Sequence, residues 1–492
     1  MHNLKTSLAL NSTTRKDLTS LAAVRCAAAL VLMLQFVSAC AAQTKFPNTP
    51  AGNQAAAWLE AFNSGKRERI GDFLQKNYPA RAEHTDQEMG FREMTGGFEL
   101  RKVEESTPTK LVALVQERVS DQFARLTLEV EDADRHNIKN LELWTISRPA
   151  EFALPHLSES ELISALGKRL KEEADAERFA GAAVVARNGK LVFSQAYGLA
   201  DRDKKIPNTL KTRFRIGSMN KMFTAVATLQ LVQAGKLALK DVLGKYLTDY
   251  PNKDVASKVT IEQLLTHTGG TGDIFGPDFD TRRLELRTLQ DYVKLYGNRG
   301  LEFEPGSRWE YSNYGFILLG VLIEKVSGQS YYDYVREHIY TPAGMTATGS
   351  EPEDQPTNRS VGYTKRGGGS QWKPNTDTLP YRGTSAGGGY STVEDLLQFA
   401  TALQQNKLLN ARYTEMLTVG KIDTGNGKYA YGFADRMENG TRCFGHGGGA
   451  PGMNGNLAIC PEPGYVVAVL SNMDPPAASR VSDFVTNRLP VR

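Results

Sequence analysis

Ser218 and Lys221 stand three residues apart in "RFRIGSMNKMFTAVATLQL", which runs from Arg213 to Leu231. The stretch reads as a short buried strand, a glycine, and a helix that opens at the serine. A serine hydroxyl is a weak nucleophile at neutral pH and needs a base beside it. Residues three apart share a helix face, so the Lys221 amine can fold back towards the Ser218 hydroxyl. The apolar neighbours in "KMFTAVATLQL" disfavour a charged lysine and lower its pKa. The N–H groups of the helix N-terminus can meanwhile stabilise a developing oxyanion. Ser-x-x-Lys is thus a compact acyl-transfer pair. By itself the spacing is weak, because Ser370 and Lys373 repeat it in the Gly-rich loop "KRGGGSQWKPN", where no helix aligns them. A helix-capping serine and a snorkelling lysine would fit the Ser218 stretch as well.

Two later stretches change that balance. "FEPGSRWEYSNYGFILLGVLIEKVSG" sets Tyr311-Ser312-Asn313 just before an apolar helix. A phenol can relay a proton to a leaving group, and an amide can hold a substrate carbonyl. Tyr-x-Asn recurs at Tyr250 to Asn252 and at Tyr296 to Asn298, so the setting carries the weight. "CFGHGGGAPG" puts His446-Gly447-Gly448 at a strand edge, where glycines let a substrate backbone approach. The Gly449 N–H can join that of Ser218 as a second oxyanion donor. His267-Thr268-Gly269 also fits His-x-Gly, but it precedes the tyrosine in "LLTHTGG" and reads better as a structural histidine holding a turn. A rival nucleophile is Ser385 in Gly383-Thr384-Ser385-Ala386-Gly387. That elbow needs a buried strand before it and a helix after it. "NTDTLPYR" and "GGYST" supply neither, which leaves loop packing near the site as its role.

In chain order, Ser218/Lys221, Tyr311/Asn313 and His446-Gly-Gly resemble the motifs of the penicillin-recognising serine hydrolases. That family includes class C β-lactamases, DD-carboxypeptidases, D-aminopeptidases and β-lactamase-like esterases. "LLTHTGG", "PGSRWEYSNYGFILLGVLIEKVSG", "TPAGMTATG" and "SAGGGYSTVEDLLQF" resemble family segments too, and together they cover most of residues 158–492. The resemblance implies that Ser218 attacks an acyl carbonyl to form an acyl-enzyme, with Lys221 and Tyr311 sharing proton abstraction and delivery. It implies that Asn313 and His446-Gly447-Gly448 contact the substrate, and that the Ser218 and Gly449 N–H groups bind the oxyanion. One departure stands out. β-Lactamases of the family typically carry Lys-Thr-Gly where this chain has His446. Imidazole is only partly charged at neutral pH, so recognition of an anionic β-lactam should be weaker. An esterase or D-amino-acid peptidase is the expected activity. A β-lactamase, a DD-carboxypeptidase, or a cell-envelope binding protein without turnover are the alternatives.

The elements that must position these residues fall into two units, as a chain of 492 residues suggests. "TPAGNQAAAWLEAFNSG" reads as a helix ending at Gly65. "GFELRKVEE", "KLVALVQERV", "FARLTLEVED" and "NLELWTIS" read as strands. A small α+β domain over residues 44–152 follows, resembling cystatin-like or nuclear-transport-factor-like cones in element order alone. "RPAEFALPH" is the linker. A capped helix begins at Ser158, with Glu161 completing a capping box, and Asn188-Gly189 signals a hairpin. The fold expected for residues 153–492 is α+β and β-lactamase-like, an antiparallel sheet built from both ends of the segment around a helical insertion.

Arg15, Lys16 and Arg25 precede the apolar run "CAAALVLMLQFVSA", Cys26 to Ala39. The run is too short to span a bilayer comfortably and suits the core of a secretory signal over residues 1–43. Val37-Ser38-Ala39-Cys40 resembles a bacterial lipobox, which would lipidate Cys40 and anchor the protein at the membrane; ordinary cleavage within "SACAAQ" fits equally. Either reading places the protein in the periplasm or cell envelope. Cys443 and Cys460 then remain, and both a disulfide and two free thiols are open. A net charge of +4 without a basic cluster speaks against nucleic acid. Scattered histidines and no paired Cys-x-x-Cys give no metal or cofactor site. The partner expected is a small-molecule or peptide acyl substrate, and no protein partner is inferred.

Overall fold

The computed structural model describes residues 45–133, 135–355, 358–365 and 371–490. The signal segment, Cys40 and Ser370 lie outside the described residues. The chain opens with helices α1 (Pro50–Ser64), α2 (Arg67–Asn77) and α3 (Thr85–Thr95). Thr49 caps α1 by accepting from the Gly52 N–H, and Gly65 ends it with φ of 65°. Four strands follow, β1 (Phe98–Ser106), β2 (Lys110–Glu117), β3 (Phe123–Val130) and β4 (Ile138–Ile146), paired in sequence order as an antiparallel meander. Trp58 and Phe62 of α1 stack on Phe98, joining the helix to one sheet face.

The second unit begins with α4 (Glu159–Asp175), whose first turn carries the Ser158/Glu161 capping box. Strands β5 (Gly181–Arg187) and β6 (Lys190–Tyr197) form a hairpin. Asn188 and Gly189 at its turn both have positive φ, 49° and 76°. Three helices, α5 (Asn220–Gln233), α6 (Asn313–Ser327) and α7 (Val393–Gln404), belong to the insertion. The chain then adds β7 (Ile422–Asp423), β8 (Lys428–Tyr429), β9 (Ala434–Glu438), β10 (Thr441–Ala450), β11 (Met453–Cys460), β12 (Tyr465–Ser471) and the helix α8 (Ala477–Thr486). The sheet order is β7-β8-β9-β10-β11-β12-β5-β6, so the two ends of the unit meet where β12 pairs with β5.

This central pair is apolar on both faces. Ala182 and Val184 lie in the core cluster that includes α7, the helix packed on β5 and β12, whereas Ala183 and Val185 share a cluster with α4 and α8. A strand covered on both sides cannot alternate, which explains the unbroken runs "GAAVVA" and "YVVAVL". The last helix also touches the first unit. Arg480 pairs with Glu117 at 3.2 Å, and Arg488, just beyond α8, forks onto Asp121.

The stretch "GHGGGAPGMNGN" looks like a long loop between two strands, but both strands run through it. The β10 to β11 pairing continues to Ala450 opposite Met453, leaving a turn at Pro451 and Gly452. Glycine has low strand propensity, so its pairing is invisible to a propensity reading. Its use here is contact: a Cβ on Gly448 would lie 1.9 Å from the Ile216 carbonyl oxygen. The same register sets Cys443 opposite Cys460, and a disulfide joins them across the pair with Cα atoms 4.2 Å apart. Removing it with Cys443→Ser is expected to cost about 2–4 kcal/mol. The second unit's melting midpoint should fall by ~5–10 °C in calorimetry, and the double serine variant should match the single one.

Candidate active site

The polypeptide enters the site through Phe214–Arg215, a two-residue strand paired with Tyr390–Ser391. Gly217–Met219 then make one 3₁₀ turn that runs into α5. Gly217 has φ of 49°, and a Cβ there would lie 3.0 Å from the Gly449 nitrogen. The turn therefore needs glycine both for its backbone and for the approach of β10. Ser218 is half-buried, while Lys221 in the first turn of α5 is completely buried. Neither the turn nor α5 has a side-chain cap, so the serine is not a helix cap and the lysine is not a surface group.

Lys221 Nζ donates to three acceptors: Ser218 Oγ at 3.2 Å, Asn313 Oδ1 at 2.7 Å and the Ala386 carbonyl at 2.6 Å. These match the three protons of an ammonium. Burial lowers the Lys221 pKa to about 7, with the Asp273 carboxylate acting the other way. Asp273 accepts from both the backbone N–H and the side-chain Nδ2 of Asn313, each at 3.2 Å. The amide must therefore turn its oxygen to the lysine. The Tyr311 phenol is close enough to the Ser218 hydroxyl to be influenced by it, and Lys221 Nζ lies 4.7 Å from its ring centroid. Burial pushes the Tyr311 phenol up, so it rests as a neutral phenol. Of the two groups beside Ser218, only the lysine is substantially deprotonated near pH 7.

β9 pairs with β10 only as far as Gly445. Beyond it, His446 to Ala450 have β11 on one side and an open edge on the other. Gly449 of this edge meets the Gly217 turn. A Cβ on Gly387 from the other side would lie 3.3 Å from the Ser218 nitrogen. His446 Nε2 lies 3.0 Å from Tyr429 Oη, and its Nδ1 contacts the Gly447 carbonyl. Burial and the nearby Lys221 lower the His446 pKa to about 3. Tyr429 Oη also lies 3.0 Å from Nε2 of His267.

Residues 166–490 match the beta-lactamase family. The chain belongs to that family. PbpX of Bacillus subtilis, named as a penicillin-binding protein, is 35% identical over 263 residues, which are 52% of this chain and 62% of the relative. The chain thus spans less than two thirds of that relative's length. The penicillin binding protein of Bacillus halodurans has the same fold with a TM-score of 0.59, at 34% identity over 64% of this chain and 98% of its own. A D-stereospecific amidohydrolase from Streptomyces superposes with a TM-score of 0.56, at 28% identity over 66% of this chain and 98% of its own. The family is that of the penicillin-recognising serine hydrolases, with a beta-lactamase-like fold shared by hydrolases of several kinds.

Within this family domain, Ser218, Lys221, Tyr311, Asn313 and the His446-Gly447-Gly448-Gly449 edge converge on one place. Ser385 does not take part as a nucleophile: it is 0% exposed and packed on Gly320 of α6, while the carbonyl of the next residue holds Lys221. The other two Tyr-x-Asn tyrosines make structural bonds, Tyr250 to the Tyr314 hydroxyl at 3.1 Å and Tyr296 to the Ile274 carbonyl at 2.9 Å. His267 holds its turn, with φ of 58° and Nδ1 accepting from the Ser312 N–H, but it also faces Tyr311 in the site wall. Asp273 and Tyr429 went unrecognised in the sequence.

Asp273→Asn is expected to remove the negative charge that holds the Lys221 pKa up. The lysine then loses its proton at a lower pH. The acid limb of the pH profile of kcat/KM should move down, while kcat/KM itself falls about tenfold as Asn313 loses an anchor.

Proposed function

We propose that the protein is an exported serine hydrolase that acts through an acyl-enzyme on an ester or amide. One observation carries the reading: a completely buried lysine with a pKa of about 7 is hydrogen-bonded to a solvent-accessible serine. The neutral Lys221 amine takes the Ser218 proton as Oγ bonds to the acyl carbon. The N–H groups of Ser218 and Gly449 hold the resulting oxyanion. The intermediate collapses, and the leaving alcohol or amine departs with a proton passed from Lys221 through Tyr311. Water then adds to the acyl-enzyme, giving its proton to the same pair, and releases the acid and Ser218. Asn313 fixes both the lysine and the substrate carbonyl. The presence of histidine at position 446, together with a relative named as a D-stereospecific amidohydrolase, supports an esterase or D-amino-acid amidase over a β-lactamase. The apolar segment after Arg25 supports export, and Cys40 is the proposed lipid anchor if the lipobox is used.

The test is covalent. A fluorophosphonate should modify the purified protein once, on the peptide containing Ser218, and prior incubation with a slow ester should protect it. Modification at Ser385 instead would overturn the assignment. Nitrocefin, short acyl esters and D-amino-acid amides then sort the substrate classes, with nitrocefin the poorest.

A further inference from the structure

Tyr429 and His267 have no part in the reaction as described, yet they form a continuous hydrogen-bonded path to His446. The polarity of that path follows from one fixed donor. The Ser312 backbone N–H can only donate, and it lies 3.1 Å from His267 Nδ1. That nitrogen must hold the lone pair, so the His267 proton sits on Nε2 and is donated to Tyr429 Oη, 3.0 Å away. The single Tyr429 O–H is then left for His446 Nε2, also at 3.0 Å. His446 Nε2 is therefore an acceptor, and Nδ1–H is the donor to the Gly447 carbonyl. The reverse polarity would set the Ser312 N–H against another N–H. All three side chains are buried, where an unpaired polar atom is costly.

We propose that Tyr429 and His267 are positioning residues that lock His446 as the neutral, Nδ1-protonated imidazole, and that this lock makes the acyl site select substrates without a carboxylate beside the scissile bond. The inference rests on Ser218 being the nucleophile. Both nitrogens of His446 are already engaged, so neither can meet a substrate oxygen. The groups that act on His446 from the surrounding elements are Lys221 of α5, Tyr311 ahead of α6, Tyr429 of β8 and, more weakly, Arg436 of β9. Lys221 opposes a second positive charge there, and so does the distant Arg436. Burial and Lys221 likewise keep His267 neutral. Asp273, the carboxylate that acts on Lys221, is itself bound to the Asn313 amide. The three Lys221 donors are also taken. A carboxylate entering along the Gly447–Gly449 edge would lose water without gaining a cation, whereas a neutral ester or amide would not.

Histidine-selective ¹⁵N labelling of the whole protein tests the lock without turnover, with the His446 signals assigned by their loss in His446→Gln. Long-range ¹H–¹⁵N spectra should show one neutral Nδ1–H imidazole at position 446 from pH 5 to 8. In Tyr429→Phe and His267→Leu the polarity is no longer fixed from Ser312, and the Nε2–H tautomer should appear at position 446. His267→Gln can still accept from Ser312 and donate to Tyr429, and should keep the wild-type signature. In kinetics, an uncharged ester should exceed the same ester bearing an acyl-side carboxylate by ~30-fold in kcat/KM, equally at pH 6 and pH 8. In Tyr429→Phe that gap should narrow at least ~3-fold at both pH values, because an Nε2–H freed from the path can donate to the carboxylate. An Nε2–H tautomer in the wild type, its titration between pH 5 and 8, or a gap unchanged in Tyr429→Phe would overturn the proposal. If Tyr429→Phe fails to fold, the wild-type spectrum and the His267 pair decide it. Fluorophosphonate labelling reads the nucleophile separately, so a failed lock and a wrong nucleophile give different results.

Discussion

Ser218→Ala is expected to lower ester turnover by about four orders of magnitude or more and to abolish fluorophosphonate labelling, with the melting midpoint unchanged. The size follows from what the hydroxyl does not do. It caps no helix N–H, so alanine costs α5 nothing. Lys221 keeps its Asn313 and Ala386 acceptors when the hydroxyl goes, so the buried amine stays in place. What disappears is the atom that bonds to the acyl carbon, and the remaining oxyanion donors can offer only a small rate over water. Ser385→Ala is the matched control. That side chain is sealed against α6, and its loss should leave labelling intact. Turnover persisting in Ser218→Ala but lost in Ser385→Ala would contradict the site.

The candidate site was legible in the sequence where it is local. Ser218 and Lys221 sit in one turn, so helical spacing alone brings them together. Tyr311 and Asn313 are separated by the cap of α6, and His446 to Gly449 lie on one strand edge. The residues that escaped detection reach the site only through the fold. Asp273 lies 40 residues before its partner Asn313, in a Gly-rich loop with nothing to distinguish it from other loop aspartates. Tyr429 bridges a histidine 162 residues away and another 17 away, on a two-residue strand too short for any periodicity to show. His267 shows the limit of choosing between roles. It holds its turn, since Nδ1 accepts a backbone N–H, but the other ring nitrogen meets Tyr429 beside the site.

The sheet was legible for a related reason. Runs such as "YVVAVL" carry no alternation because helices cover both faces, and continuous apolarity marks such strands as well as a period of two marks half-buried ones. The glycine-rich half of β10 carries neither signal. Its identity as a strand depends on β11 beside it and on Ile216 pressed against it, contacts that no local pattern encodes.

Replacing Lys221 with methionine is expected to reduce kcat/KM for a neutral ester by ~10³-fold or more and to remove the acid limb from its pH profile. In the wild type, the lysine must be neutral to accept the serine proton. With a pKa of about 7, kcat/KM should fall roughly tenfold per pH unit below that value and level off above it. The same shift acts on stability, and its sign can be fixed. The folded lysine loses its proton near pH 7, whereas the unfolded one keeps it until about 10.5. Between those values the unfolded state binds more protons, so the lysine makes stability rise with pH; below pH 7 both states are protonated and its contribution is flat. The burial of this amine is thus a cost of a few kcal/mol at low pH that fades as pH rises. Methionine carries no proton, so the difference in stability between wild type and Lys221→Met should grow with pH from 7 to 10 in favour of the wild type. Urea midpoints at pH 6, 8 and 10 measure it. A difference independent of pH, together with an acid limb that survives in Lys221→Met, would mean that another group titrates at the serine. The Asp273→Asn shift is the cross-check, since it moves the acid limb only if the limb belongs to Lys221.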